Sequence, residues 1–246
     1  MTNKLLLAKT HDFSHSKHPK LAVVMIHGIA SDSTTFEHAL KYLEETKSLD
    51  EVRFITFDLL GSGKSLKDDS LNYDYKDQLE ALHNSIESLH LDMPLILVGH
   101  SLGTFIVTRY ADTYKKSVKK LILVSPPIYT ERDLRHPAFE VGTRMFKEAV
   151  SLRNRRILEE KAFNNSMDKI VLDHRNYKVL AELTTPTVLI YGNMDQFIAS
   201  YNFPRILKDN PKHITAIQTE GRHGVTRDKY TKIAKILEEV IDAETK

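Results

Sequence analysis

Ser101 stands between two glycines in Gly99-His100-Ser101-Leu102-Gly103, directly after the apolar run Leu95-Ile96-Leu97-Val98. A strand that stops on G-x-S-x-G and opens onto a helical stretch (here Thr104 to Ala111) is the nucleophile-elbow pattern. The sharp turn lifts the hydroxyl out of the sheet, and a Cβ at either flanking position would crowd it. A serine hydroxyl is a poor nucleophile alone. It needs a base to take its proton and an acid to orient that base. Candidates follow in that chain order. The apolar run Thr187 to Tyr191 ends in Gly192-Asn193-Met194-Asp195, and the run Ile214 to Ile217 leads to Thr219-Glu220-Gly221-Arg222-His223-Gly224. Both Asp195 and His223 therefore fall just past the end of an expected strand. In a parallel sheet such loops gather on one edge, so Ser101, Asp195 and His223 can meet.

The elements that must position these residues alternate along the chain. Strands are expected over 4–10 at an edge, then over 21–26, 52–57, 95–98, 120–124, 186–191 and 213–218, with 11–19 as a polar turn. Helical spacing marks 33–46, with Asp32 or Ser33 as N-cap, and 75–89, where Leu79, Leu82, Ile86 and Leu89 share a face. Further helices are expected over 201–208 and 230–241. This predicts an α/β fold, with a mostly parallel central sheet flanked by helices. The alternation breaks between Pro126 and Thr185, where Phe139, Met145, Phe146, Ala149 and Leu152 recur at helical spacing. The expected organisation is a core of 1–126 and 181–246 interrupted by a helical insertion at 127–180.

Composition narrows the class. The 246 residues carry 28% charged side chains and a formal net charge of +2, which gives no pull toward nucleic acid or a membrane surface. There are no cysteines, which excludes disulfides, a thiol nucleophile and thiolate metal sites. The only apolar run near the N-terminus, Leu5 to Ala8, is too short for a secretory signal, and the chain reads as cytoplasmic. His11, His15 and His18 lie in a polar segment without evident carboxylate support, so no metal is expected. Gly61-Ser62-Gly63-Lys64-Ser65 fails as a phosphate loop, because Asp58 stands where the pattern needs glycine and a turn-rich stretch follows the lysine. The charged run Arg153 to Glu160 reads as a solvated helix face. No cofactor is expected, and nothing sets the oligomeric state.

The assembled motifs resemble the α/β-hydrolases, in particular single-domain, capped serine esterases. Besides the elbow, the resemblance rests on three matches: His27-Gly28 after the strand Leu21 to Ile26, the loop Asp58-Leu59-Leu60-Gly61-Ser62-Gly63-Lys64-Ser65, and the Asp195 and His223 loops. It covers nearly the whole chain outside 127–180. Thr104 replaces a glycine common in the family, and the proline usual after the histidine loop is missing.

The resemblance implies Ser101 as nucleophile, His223 as base and Asp195 as orienting acid, with the backbone N–H groups of Ile29 and Leu102 receiving an oxyanion. It implies structural roles for His27 and His100. The insertion becomes a cap, with Phe139, Met145 and Phe146 in an acyl pocket. Some relatives carry the acid after the strand preceding the cap, but here that strand ends in Ser125-Pro126. A dehalogenase or epoxide hydrolase would need aspartate at position 101. The implied partner is a small to medium, largely apolar carboxylic ester. The same residues serve thioesters, lactones and certain carbon–carbon bonds in relatives. A ligand-binding protein on this fold is the rival class, but it would be free to lose any of the three residues.

Overall fold

Seven extended segments pair edge to edge in a computed structural model, which describes residues 4–114, 117–153, 159–223 and 230–245. They are β1 (Ala8–Phe13), β2 (Leu21–Ile26), β3 (Val52–Asp58), β4 (Leu95–His100), β5 (Val118–Val124), β6 (Thr187–Gly192) and β7 (Ile214–Thr219), in the order β1-β3-β2-β4-β5-β6-β7. Every pairing is parallel except that of β1 with β3. Every residue of β2 and β4 is buried. Strands covered on both faces need apolar residues on both, which is why they read as unbroken apolar runs.

The edge strand is displaced from its expected place. It covers 8–13 and not 4–10, so His11, Asp12 and Phe13 are strand residues where a polar turn was expected. An edge strand with one wet face tolerates such residues. Arg53 of β3 binds Asp12 through Nε at 2.8 Å and Nη2 at 2.9 Å.

Helices close the two faces. On one lie α1 (Glu37–Glu44) and α9 (Tyr230–Asp242), where Leu40, Leu43, Ile233, Leu237 and Ile241 pack on β2–β6. The expected helix at 33–46 is a 3-10 turn, Ser33–Phe36, followed by α1, and Asp32 is the cap, accepting from the Thr34 amide at 3.0 Å. On the other face lie α2 (Tyr75–Glu87), α3 (Leu102–Thr113) and α8 (Phe203–Asp209).

The described residues between β5 and β6 are mostly helical: α4 (Glu131–Leu134), α5 (Pro137–Arg153), α6 (Glu160–Ser166), a π-helical turn (Met167–Val171) and α7 (Arg175–Glu182). Residues 154–158 of the expected charged helix face lie outside the described residues. Phe163, Met167, Ile170 and Leu180 join the core that α2 and α3 share. Polar contacts fasten the same junction. Tyr75 Oη donates to Asn176 Oδ1 at 2.5 Å, Arg109 lies 4.9 Å over the Tyr75 ring, and its Nη2 is 3.5 Å from the buried Asp173 carboxylate.

Candidate active site

Ser101 sits at the junction of β4 and α3 with φ 50° and ψ −118°, a left-handed conformation that costs a non-glycine residue about 1–3 kcal/mol. The surroundings impose it. The Ser101 amide donates to Val124 O of β5 at 2.9 Å. Gly103 lets α3 approach β2 so closely that a Cβ there would lie 2.3 Å from Ile26 O. Thr104 fits without its family glycine because its Oγ1 donates to Ser101 O at 2.5 Å from a fully buried position.

The three expected residues converge. His223 Nε2 is 2.9 Å from Ser101 Oγ, and His223 Nδ1 lies 2.9 Å and 3.2 Å from the two carboxylate oxygens of Asp195. The Asp195 carboxylate is wholly buried and also accepts the Phe197 amide at 2.9 Å. With Nδ1–H given to a carboxylate, Nε2 carries the lone pair that the Ser101 hydroxyl can donate to. The two loops are tied together by the Asn193 amide to Thr219 O at 2.8 Å and the Met194 amide to Gly221 O at 2.9 Å.

The exit of β2 runs beside the elbow. A Cβ on Gly28 would lie 3.0 Å from Ser101 Cβ. His27 fixes this turn: its Nδ1 donates to Gly28 O at 2.7 Å, and its Nε2 accepts the Leu59 amide at 2.9 Å. Leu102 is the first residue of α3, where an amide has no carbonyl within the helix to receive it. Among the described residues, neither the Ile29 nor the Leu102 N–H donates to a protein acceptor. Among the described residues, then, one donor without an acceptor directly follows Ser101 at the positive end of a helix, and the other directly follows Gly28.

His100 is buried, and Nε2 donates to the His223 carbonyl at 3.1 Å. Burial holds it neutral, with its pKa pushed down to about 3, aided by the neighbouring His223. Burial lowers His27 as well. Both histidines hold backbone in place.

Beyond the triad the walls are aromatic. The Phe197 ring lies 5.4 Å from the His223 ring, edge to face, and 5.5 Å from Phe146 of α5, which in turn lies 6.3 Å from Phe163. Of the three side chains expected in a pocket, Phe146 packs directly on Phe197, and Phe139 reaches it through Tyr129, whose Oη donates to Phe197 O at 2.6 Å. Phe139 packs on Tyr129 at 4.6 Å, and Met145 is 63% exposed. Phe197 was not anticipated. No periodicity or motif marks a loop residue whose importance arises where three loops converge. Asp58 was quoted only as part of a motif, yet it is buried and accepts the Ser33 and Lys64 amides, each at 2.8 Å, which accounts for the Asp58–Ser65 loop without a phosphate.

Ser125, at the alternative acid position, is buried and gives its amide to Ile190 O at 2.7 Å. His11 does have a carboxylate partner, Glu44, and His15 Nε2 meets Glu44 O at 2.6 Å. These contacts tie the β1 edge to α1. Among the described residues no cluster of three His, Asp or Glu is placed to hold a metal, and no helix is long and apolar enough to cross a membrane.

A family model described as alpha/beta hydrolase fold matches residues 22–170. Among curated proteins, the chain is 34% identical over 121 residues to "Probable lysophospholipase BODYGUARD 5" of Arabidopsis thaliana, a match covering 49% of this chain and 27% of that protein. Lipase 1 of Psychrobacter immobilis is 23% identical across 88% of this chain and 77% of its own. The solved esterase from Exiguobacterium antarcticum superposes with a TM-score of 0.73 at 21% identity, covering 94% of each chain, a likeness of fold.

Proposed function

The chain belongs to the alpha/beta hydrolase family, and from that premise we propose that it is a serine hydrolase cleaving a small to medium, largely apolar carboxylic ester. The observation that carries this reading is the unbroken hydrogen-bond relay from Ser101 Oγ through His223 to Asp195. Ester-cleaving names recur among the relatives, lysophospholipase and lipase included, which supports the substrate class.

Ser101 Oγ attacks the ester carbonyl while His223 Nε2 takes its proton. Asp195 keeps the imidazole in the required tautomer and offsets the charge it gains. The tetrahedral oxyanion forms against the Ile29 and Leu102 amides, each such donor being worth on the order of 10²–10³ in turnover. The alcohol leaves with the proton from His223, and water then repeats the sequence on the acyl-serine. Residues 127–180 act as a cap whose aromatic side chains exclude water and select substrate. No step calls for a metal or a redox cofactor.

A fluorophosphonate probe should label Ser101 and leave Ser101→Ala unlabelled, and p-nitrophenyl esters of graded acyl length should be turned over by the wild type alone. Asp195→Asn, which favours the wrong tautomer, should lower turnover by as much as about 10⁴-fold. Labelling that persists in Ser101→Ala, or turnover within a few-fold of wild type in Asp195→Asn, would refute the assignment.

A further inference from the structure

We infer that Phe197, backed by Phe146, is the specificity-determining wall for the alcohol half of the ester and selects aromatic or bulky apolar leaving groups. The inference rests on the serine-hydrolase reading and adds a direction to it. The tetrahedral carbon bonded to Ser101 Oγ has three other substituents. Its oxyanion must face the Ile29 and Leu102 amides that the proposed mechanism assigns to it. Its alcohol oxygen must face His223 Nε2, because the proton held there passes to that oxygen as the carbon–oxygen bond breaks. The acyl group takes the remaining direction, away from both.

Whatever packs on the open side of His223 therefore lines the leaving group. His100 lies on one side of the imidazole, buried, with its ring 5.3 Å away. Phe197 lies against the imidazole at 5.4 Å with 52% of its surface exposed. Phe146 extends that surface into α5, 5.5 Å from Phe197. Met194 and Tyr201, on the same stretch of chain as Phe197, are 55% and 69% exposed and add apolar surface to it.

Phe197 is also well held. Its carbonyl accepts from Tyr129 Oη at 2.6 Å and its amide serves Asp195. Both bonds use backbone atoms, so the side chain can be exchanged without removing either.

The test separates the two halves of the substrate. One series holds the acyl group as acetate and compares benzyl with ethyl alcohol. The other holds p-nitrophenol and varies the acyl chain. In Phe197→Leu the benzyl-to-ethyl ratio of kcat/KM should fall about five- to tenfold, the scale of one lost aromatic pair. Phe197→Tyr should keep that ratio, and the shape of the acyl-chain profile should hold in both variants. Phe146→Leu should move the ratio the same way by less, which guards against a folding defect in one variant.

An unchanged benzyl-to-ethyl ratio in Phe197→Leu, or a shifted acyl-chain profile in its place, overturns the inference. Wild-type protein inert toward every ester, or Ser101→Ala as active as wild type, would instead remove the hydrolase reading and this inference with it.

Discussion

Lowering the pH from 7 to 5 should destabilise this protein through His100, by an amount its surroundings set. Burial is the main cause of its depressed pKa and the neighbouring His223 adds to it, while the hydrogen bond to the His223 carbonyl and the Asp195 charge oppose. The net result is a pKa of about 3, against about 6.5 in the unfolded chain. Between those values the unfolded chain binds a proton at this position and the folded chain does not. Stability therefore rises with pH across the window and falls as pH drops below about 6.5, at about 1.4 kcal/mol per unit. At pH 5 the loss is about 2 kcal/mol. His27, buried and also lowered, acts in the same direction. The assay is equilibrium urea unfolding at pH 7 and pH 5 of wild type and His100→Gln. Glutamine keeps a donor for the His223 carbonyl and does not titrate. The other titrating groups occur in both proteins and cancel in the difference. Wild type should lose about 2 kcal/mol more than the variant over this interval, with the same urea dependence. Equal losses would mean that His100 takes up its proton in the folded state, refuting the argument from burial.

The elbow supplies a contrast between two glycines. Gly103→Ala puts a Cβ 2.3 Å from Ile26 O and 2.6 Å from His27 O, both backbone, and should cost at least about 1–3 kcal/mol in urea unfolding, with loss of turnover. Gly142→Ala in α5 meets nothing within 4 Å and should stabilise by roughly 0.5–1 kcal/mol. At the junction of the insertion with the body, Asp173→Ala strips the Arg109 guanidinium of its partner and should cost about 3 kcal/mol, while Arg175→Ala, at a 69% exposed side chain, should cost no more than about 1 kcal/mol by the same measurement.

The parallel strands and the meeting of Ser101, His223 and Asp195 were legible because a buried strand writes itself as a continuous apolar run, and each of the three residues follows the end of one. The edge was not. His11-Asp12-Phe13 looks like a turn until Arg53 and β3 are there to receive it. The helix at 33–46 was placed, but its first turn tightened because Asp32 caps at Thr34. Spacing found the helical character of the insertion, since a helix that packs on one face must repeat its apolar residues. Spacing could not say which of Phe139, Met145 and Phe146 would lie near the triad. That choice depends on Tyr75, Arg109 and Asp173, which sit far apart in sequence and set how the insertion docks. Phe197 stayed invisible for the same reason, as its neighbours come from β7's exit loop and from α5.

Adjacent β5 and β6 bear on how such a chain can diversify. Their partners, Leu121 with Thr187 through Val124 with Ile190, are held in register although the whole helical insertion separates them in sequence. Closing a chain on itself costs only about 0.6 kcal/mol for each doubling of the length enclosed. An insertion of roughly sixty residues in place of the roughly dozen-residue minimum of a parallel crossover thus adds about 1.4 kcal/mol of closure entropy. That sum is within reach of a single buried aromatic contact surface such as the one Phe163 makes with the body. The sheet can therefore exchange one insertion for another of different length at this point with little thermodynamic resistance, while the strand ends that carry Ser101 and Asp195 keep their spacing.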